Sequence, residues 1–389
     1  MKSRVYPPWL LIVHHVALAG LLCGLLLSVP LWVGERFFPK IPIVSFGALP
    51  DTVEWILFLF LFVFILLAFL RPFVPWTLIS IPSLLAVFFV FDQNRLNASL
   101  YFYFALFVVL ANASLLEMSA AQERQIRNTL RLCVVGVYLW SGLHKISIAF
   151  VASMFPWFLE PLLPEKLIND FAVLGVFVPF LEAGFALCLW SLRWRRLGVV
   201  LALAMHLFIL SSLGPLGHHY NEIVWPWNLV MCSLVTVLFF KSNDRDGLLE
   251  VLRSGIPRMH VIVVLFFLIL PGLHLVGHWD TYPSFSLYTP NAVPVLRMSE
   301  DVRVSFPPKL TPFLHPDREG SSLYTISLIY WSEDELGTPL YPEERVYLKV
   351  FRALCQRWPE AKTLELLLTP RPDRWTGEAT TKVISCPES

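Results

Sequence analysis

The stretch Tyr138-Leu-Trp-Ser-Gly142-Leu-His144-Lys145-Ile sets an imidazole beside an amine near the end of an apolar run, Leu132 to Phe150, long enough to cross a membrane. A cation at that depth costs at least ~2.5–3.5 kcal/mol on insertion scales, so chains keep one where it has a polar partner or a task. Three roles are open for Lys145. Desolvated in apolar surroundings, its amine loses preference for the charged form and can act as a base or nucleophile near neutral pH. Paired with a carboxylate, it is a structural ammonium. Extended along its apolar stem, it only snorkels to the headgroups.

Other polar residues could complete such a centre. Glu182 lies in the middle of the apolar run Phe171–Trp190, where a lone carboxylate has to be protonated or paired. His206 sits about 10 Å below the end of Leu197–Leu213, at 1.5 Å per residue. Asp92-Gln-Asn-Arg95 follows the run ending at Phe91. The loop Gly214-Pro-Leu-Gly-His218-His219-Tyr220-Asn221-Glu222 has no Lys or Arg and leads into Val224-Trp225-Pro226-Trp227-Asn228. Asn221, Trp225 and Asn228 then fall at i, i+4 and i+7, one face of a helix. We expect Lys145, His144 and His206 as catalytic candidates, and Asp92, Arg95, Glu182, His218, Asn221, Trp225 and Asn228 as ligand-binding candidates, all gathered at one outward-opening pocket. Plainer readings stand beside these: His206 as a hydrogen-bonded bundle residue, Trp225 as an interfacial anchor, His218 as a solvated loop residue. His218 and His219 form no HxxxH or HExxH pattern, so no metal site is expected.

The elements that must carry these groups are membrane helices. Of the 389 residues, 56% are hydrophobic and 15% charged, against about a quarter charged in globular proteins. A net charge of +1 gives no footing for nucleic acid. Hydropathy predicts an all-α bundle of about nine spans: Leu10–Val33, Val53–Leu70, Val74–Phe91, Leu100–Leu116, Leu132–Phe150, Phe171–Trp190, Leu197–Leu213, Val224–Phe240 and His260–Val276. Lys2, Arg4, Arg71, Arg124, Arg127, Arg131, Arg193, Arg195, Arg196, Lys241, Arg245, Arg253 and Arg258 fall on the N-terminal side, and Arg36, Lys40, Arg95 and Lys166 opposite. The positive-inside rule then makes the N-terminus cytoplasmic and the C-terminus external. Leu10–Val33 is too long for a signal-peptide core and reads as a retained span.

Residues 1–276 are expected to form the bundle and 277–389 a small extracytoplasmic α+β domain. In the latter, Tyr324–Trp331, Thr363–Thr369 and Ala379–Cys386 alternate like strands. Pro342–Trp358 reads as a helix with a Val346/Val350/Leu354 stripe. Cys23, Cys133, Cys188 and Cys232 lie within spans without CxxC spacing, whereas Cys355 and Cys386 share the outer domain, where a disulfide is allowed.

The Tyr138-to-Ile146 segment resembles the Tyr-x-x-Ala-Gly-x-x-Lys-Leu stretch of the HTTM (horizontally transferred transmembrane) family, the membrane domain shared with vitamin K-dependent γ-glutamyl carboxylase. Asp92–Arg95, His206, Asn221–Asn228 and Gly277–Tyr288 are similar to segments of bacterial members. The resemblance spans about residues 10–290 as pattern, and its specific motif about nine residues. It implies that Lys145 holds the place of the base attributed to hydroquinone deprotonation, and His144 the place of a lysine. It also implies an inner-membrane protein with its reactive side facing outward. A quinone or vitamin K-like hydroquinone is the cofactor it suggests, and no counterpart of the carboxylase's peptide-binding region is visible. Against this lipophilic-ligand enzyme stand a non-enzymatic lipid or small-molecule carrier or envelope assembly factor with a structural lysine ion pair, and a DoxX-like quinone-linked redox protein, which the missing CxxC disfavours. Lipids, a lipophilic small molecule and an unknown partner of the outer domain are the expected partners.

Overall fold

A computed structural model describes residues 6–44, 47–240 and 246–387. Lys2, Arg4, Lys241 and Arg245, which enter the charge count above, lie outside them. The chain is mostly helical: α1 Pro8–Leu27, α2 Val29–Trp32, α3 Asp51–Leu70, α4 Pro75–Phe91, α5 Ala98–Leu115, α6 Ala120–His144, α7 Phe155–Leu159, α8 Glu165–Phe171, α9 Val178–Trp190, α10 Arg195–Leu213, α11 Val224–Val235, α12 Leu248–Arg253 and α13 Met259–Val264 precede the C-terminal part. There follow β1 Val293–Ser299, α14 Glu300–Arg303, β2 His315–Pro316, β3 Leu323–Ser327, α15 Leu328–Leu336, α16 Glu344–Arg357, β4 Leu364–Thr369 and β5 Lys382–Ser385.

Among the described residues, five helices are long and apolar enough to cross a membrane: Pro8–Leu27, Asp51–Leu70, Ala98–Leu115, Arg195–Leu213 and Met259–Val276. A sixth is reached if Glu165–Val176 and Val178–Trp190, bent by 48°, make one broken span. Nine was expected, and the physical reasons for the shortfall are specific. Pro75–Phe91 and Val224–Phe240 are shorter apolar helices. The expected span Leu132–Phe150 is displaced: its helix begins at Ala120, where the Ser119 side chain accepts from Gln122 N, and stops at His144. Arg124, Arg127 and Arg131, read above as loop charges, are therefore helical. Arg131 is fully buried and donates to the Leu238 carbonyl at 2.9 Å, while Asp246 takes Arg124 at 2.7 Å and Asn128 at 3.0 Å. Phe171–Trp190 likewise divides at residue 177, so that the helix carrying Glu182 starts at Val178 with Pro179 in its first turn, where a missing N–H costs nothing.

The C-terminal part is a five-stranded antiparallel sheet of order β2-β3-β1-β4-β5, with Leu296 paired to Ile326 on one side and Leu366 on the other. Alternation buries Leu296, Met298, Leu364, Leu366 and Leu368 on one face. On α16, the Val346/Val350/Leu354 stripe is fully buried in the same hydrophobic cluster. Two strand expectations are met at β4 and β5, while Tyr324–Trp331 is half strand and half helix. The chain turns at Ser327, whose hydroxyl caps α15. Strand β1 escaped the sequence reading, because Pro294 interrupts its pattern. Glu335 ties this sheet to the bundle by accepting the Phe37 and Phe38 N–H groups and the Trp331 indole. Phe37 itself sits among Phe306, Trp331 and Trp358.

Cys355 and Cys386 are disulfide-bonded, stapling α16 to the end of the edge strand β5 across a sequence separation of 31. In the chain-entropy account a loop of that length contributes about 3–4 kcal/mol. Cys355→Ser is expected to lower the denaturant stability of the C-terminal part by about that amount and to expose residues after 379 to limited proteolysis first; unchanged stability and cleavage would contradict it.

Candidate functional site

Lys145 follows the last turn of α6, and its stem folds back so that Nζ reaches the Ser141 carbonyl (3.1 Å), the Ser141 hydroxyl (2.7 Å) and Glu182 Oε2 (2.8 Å). An ammonium has three N–H donors, and three acceptors meet it here. Both partners of the pair are about 5% exposed. The contact requires α6 and α9 to touch backbone to backbone, and Gly142 permits it. A Cβ at that position would stand 2.5 Å from Ala183 N and 2.8 Å from the Pro179 carbonyl. Small residues set close approach in this way where apolar burial between helices drives little.

A hydrogen-bonded chain lies alongside. Asn228 Nδ2 donates to the Val224 carbonyl at 2.7 Å, so its Oδ1 is left to accept from His206 Nδ1 at 2.7 Å. The other ring nitrogen then carries a lone pair and takes the Tyr138 hydroxyl at 2.7 Å, a tautomer assigned from this network. Tyr138, Ser141 and Lys145 recur at helical spacing on one face of α6. With Glu182, His206, Asn228, Trp227, Leu287 and Tyr288 they line a crevice of about 20 Å³, room for one water-sized group.

Trp227, Leu287 and Tyr288 also belong to the wall of a far larger cavity, about 580 Å³, between the bundle and the C-terminal part. Asn221 and Val224 line it from the start of α11, and Ser153, Met154 and Trp157 from a π-helical turn, Phe150–Met154, and the helix that follows. Tyr330 and Tyr347 close it from the sheet side. Among the described residues, Glu160 is the one charged residue in the lining. Three buried polar atoms on that wall lack a partner: Trp227 Nε1, Asn221 Oδ1 and the Tyr288 hydroxyl. Burial holds the Tyr288 phenol above its usual range, so it presents a neutral O–H.

The remaining candidates go elsewhere. Asp92 accepts from Ile41 N (3.1 Å) and Asn94 N (3.2 Å) and pairs with Arg36 at 2.5 Å. Arg95 donates to the Leu31 and Trp32 carbonyls and to Glu54 Oε1 at 2.7 Å, and Glu54 also holds Lys40. None of these partners lies on α6, α9, α10 or α11. The structure therefore places Asp92 and Arg95 in a separate ion-pair network joining the ends of α2, α3 and α4, and not beside Lys145. His144 is on another face of α6: it stacks on Trp140 (5.3 Å between centroids), meets His274 edge-on (4.8 Å), and neither ring nitrogen has a partner. His218 stacks on Trp157 at 4.2 Å and contacts its carbonyl at 2.6 Å. Asn221, Trp225 and Asn228 do not share one helical face, because the helix starts at Val224. Asn221 precedes it, the Trp225 indole closes the loop on the Leu213 and Tyr220 carbonyls, and Asn228 turns to His206. Tyr138 and Ser141, absent from the expected site residues, join the crevice, and their spacing of seven and four residues from Lys145 is the sequence signal for it. Comparison with family models, with characterised proteins and with solved structures finds no match.

Removing one partner from a buried pair strands the other, at about 3–5 kcal/mol. Lys145→Met and Glu182→Gln are each expected to lower the thermal midpoint of the purified protein sharply, and Lys145→Met/Glu182→Leu to recover most of the loss; additive losses in the double variant would speak against the pairing. Beneath the 214–223 loop, Glu333 accepts the Asn221 N–H and is pushed up to about 8 by burial, with Glu222 adding to the shift and that hydrogen bond opposing it. A carboxyl raised above its usual 4.5 keeps a proton that the unfolded chain gives up. Stability is thus expected to fall as pH rises from about 4.5 through 8 and then level off. Glu333→Gln should flatten that slope in thermal melts across the same pH range.

Proposed function

We propose that this is an integral membrane protein with nine crossings, a cytoplasmic N-terminus and an external C-terminal part, set in a bacterial inner membrane. Besides the five long apolar helices, the crossings are Ala120–His144, the broken Glu165–Trp190 segment, Pro75–Phe91 and Val224–Phe240. A 17-residue helix rises about 25 Å, close enough to the hydrocarbon thickness for modest thinning of the bilayer to match it.

Its function, in this reading, is to hold a lipophilic small molecule in the outward-facing cavity with the polar head at the Lys145–Glu182 crevice. The observation that carries the reading is the shared wall: a cavity of about 580 Å³ with one charged lining residue meets a buried ion pair at Trp227, Leu287 and Tyr288. Pockets for small molecules are of this size and composition, largely apolar with a few placed polar groups. An uncharged amphiphile whose head both donates and accepts would satisfy Trp227 Nε1, Asn221 Oδ1 and the Tyr288 hydroxyl. A quinone or hydroquinone has that chemistry, and the HTTM resemblance points the same way. With all three ammonium donors engaged, Lys145 serves first as a charged anchor, which favours a carrier over a free-amine base. Base catalysis is the second reading. It is favoured by the Tyr138 hydroxyl and His206 lining the same crevice as the Lys145–Glu182 pair, where they could orient a bound hydroxyl beside the amine.

Mass spectrometry of lipids retained by the purified protein is expected to find a neutral isoprenoid-type amphiphile, and Trp227→Ala/Tyr288→Phe to lose it. Retention of bulk phospholipid alone would sink the reading. Turnover of the retained compound that disappears in Lys145→Met while binding persists would select the enzyme over the carrier.

A further inference from the structure

The connection between β4 and β5 holds a second polar site, independent of the cavity. Arg371 and Arg374 are both cationic, and among the described residues neither has a carboxylate within ion-pair distance. Asp373, between them, does not serve: its Oδ1 accepts Trp375 N (2.9 Å) and Thr376 N (2.8 Å), closing its own turn. Glu343 accepts from Thr281 N (2.7 Å) and the Thr281 hydroxyl (2.9 Å) and lies 3.7 Å from Arg345, reaching Arg371 only through that hydroxyl. Arg371 donates to neutral acceptors only, His274 Nε2 at 2.8 Å, Thr281 Oγ1 at 3.0 Å and Asn291 Oδ1 at 3.2 Å. His274 must accept there, since its Nδ1–H is given to the Trp279 carbonyl at 2.9 Å. Behind His274 lies His144, 3% exposed with both ring nitrogens unmatched, and the neighbouring Trp279 indole N–H is also buried without a partner. Two guanidinium groups thus sit on one short loop with no carboxylate among the described residues within ion-pair distance of either, and behind His274 an indole N–H and an imidazole are buried and unmatched.

Position says what fills it. The Arg374 carbonyl accepts Ile148 N at 2.9 Å, which pins the loop to the chain just past the end of α6, and Gly377 rests on the Ile148 side chain. Around the arginines Trp375 (66%), Val276 (65%), Ile148 (48%) and Leu275 (46%) are exposed. Arginine with tryptophan above exposed aliphatic residues is the composition of a headgroup-level anchor. We propose that Arg371 and Arg374 bind the phosphate of an anionic phospholipid in the leaflet beside the C-terminal part, with Trp375 seated at the boundary between headgroups and acyl chains. Guanidinium groups suit a phosphate oxyanion because their fork can donate two parallel hydrogen bonds. A free phosphate ion shares that chemistry, and the exposed apolar rim favours the lipid.

The test uses the full chain in neutral detergent, titrated with phosphatidylglycerol, with diacylglycerol lacking the phosphate, and with inorganic phosphate as competitor, bound lipid being counted by native mass spectrometry. Wild-type protein is expected to bind phosphatidylglycerol and not diacylglycerol, and inorganic phosphate at matching concentration to leave the lipid in place. Arg371→Gln/Arg374→Gln should weaken binding about thirtyfold, at about fivefold per surface arginine. Should loss of the Arg371 bonds loosen the fold, Arg374→Gln alone is expected to lose about fivefold. Equal binding of diacylglycerol, unchanged affinity in the variants, or displacement of the lipid by inorganic phosphate would each overturn the assignment.

Discussion

The buried contact between Lys145 and Glu182 constrains everything around it. An ammonium and a carboxylate can sit together at membrane depth only if each finds the other and the remaining donors are matched, because the low dielectric penalises a stranded charge by several kcal/mol. Ser141 supplies two of the three acceptors from the same helix, and Glu182 supplies the third from the next. Gly142 and Ala183 must therefore meet at the helix crossing, which fixes the separation of α6 and α9 and, through Pro179, the place where α9 begins. That crossing brings Tyr138, Ser141 and Lys145 against Glu182 in the crevice, which borders the large cavity at Trp227, Leu287 and Tyr288.

Polar groups in this bundle are organised as separate sets, each at its own place in the fold. Asp92, Arg36, Arg95, Glu54 and Lys40 settle the ends of α2, α3 and α4. Asp246 gathers Arg124 and Asn128 at the opposite end of α6. Tyr138, His206 and Asn228 form a directed chain in which every donor and acceptor on the ring is used. Satisfied sets of this kind rigidify a bundle, whereas unmatched atoms mark the surfaces left for something else. Trp227 Nε1, Asn221 Oδ1 and the Tyr288 hydroxyl are such atoms on the wall of the large cavity, and both ring nitrogens of His144 are unmatched behind His274.

The C-terminal sheet adds more than bulk. It encloses the cavity from the side opposite the helices through Tyr330 and Tyr347, and its attachment depends on a few specific bonds, those of Glu335 to Phe37 and Phe38 and of Glu333 to Asn221. Glu333 sits under the same loop that presents Asn221 to the cavity, so the protonation of one carboxyl and the shape of the cavity wall are mechanically adjacent.

Much was legible from the residues in order. Apolar runs announced the helices, since a backbone in hydrocarbon must satisfy its own hydrogen bonds. A cation and an acid inside such runs announced that Lys145 and Glu182 needed partners, and two cysteines in the polar C-terminal stretch announced that a bridge was possible. Helix ends were less legible, because they are decided by capping and by charges finding distant partners: Arg131 enters α6 with its guanidinium on the distant Leu238 carbonyl and over the Phe239 ring. Spacing along one helix predicted neighbours well and neighbours across helices poorly. Which carboxylate reached Lys145, why Asp92 and Arg95 turned away, and why adjacent residues His144 and Lys145 serve different sites were decided by helix rotation and crossing, which depend on contacts between residues far apart in the chain. The cavity itself is a property of no single segment, since its walls come from both the bundle and the sheet, and only their packing brings them around one space.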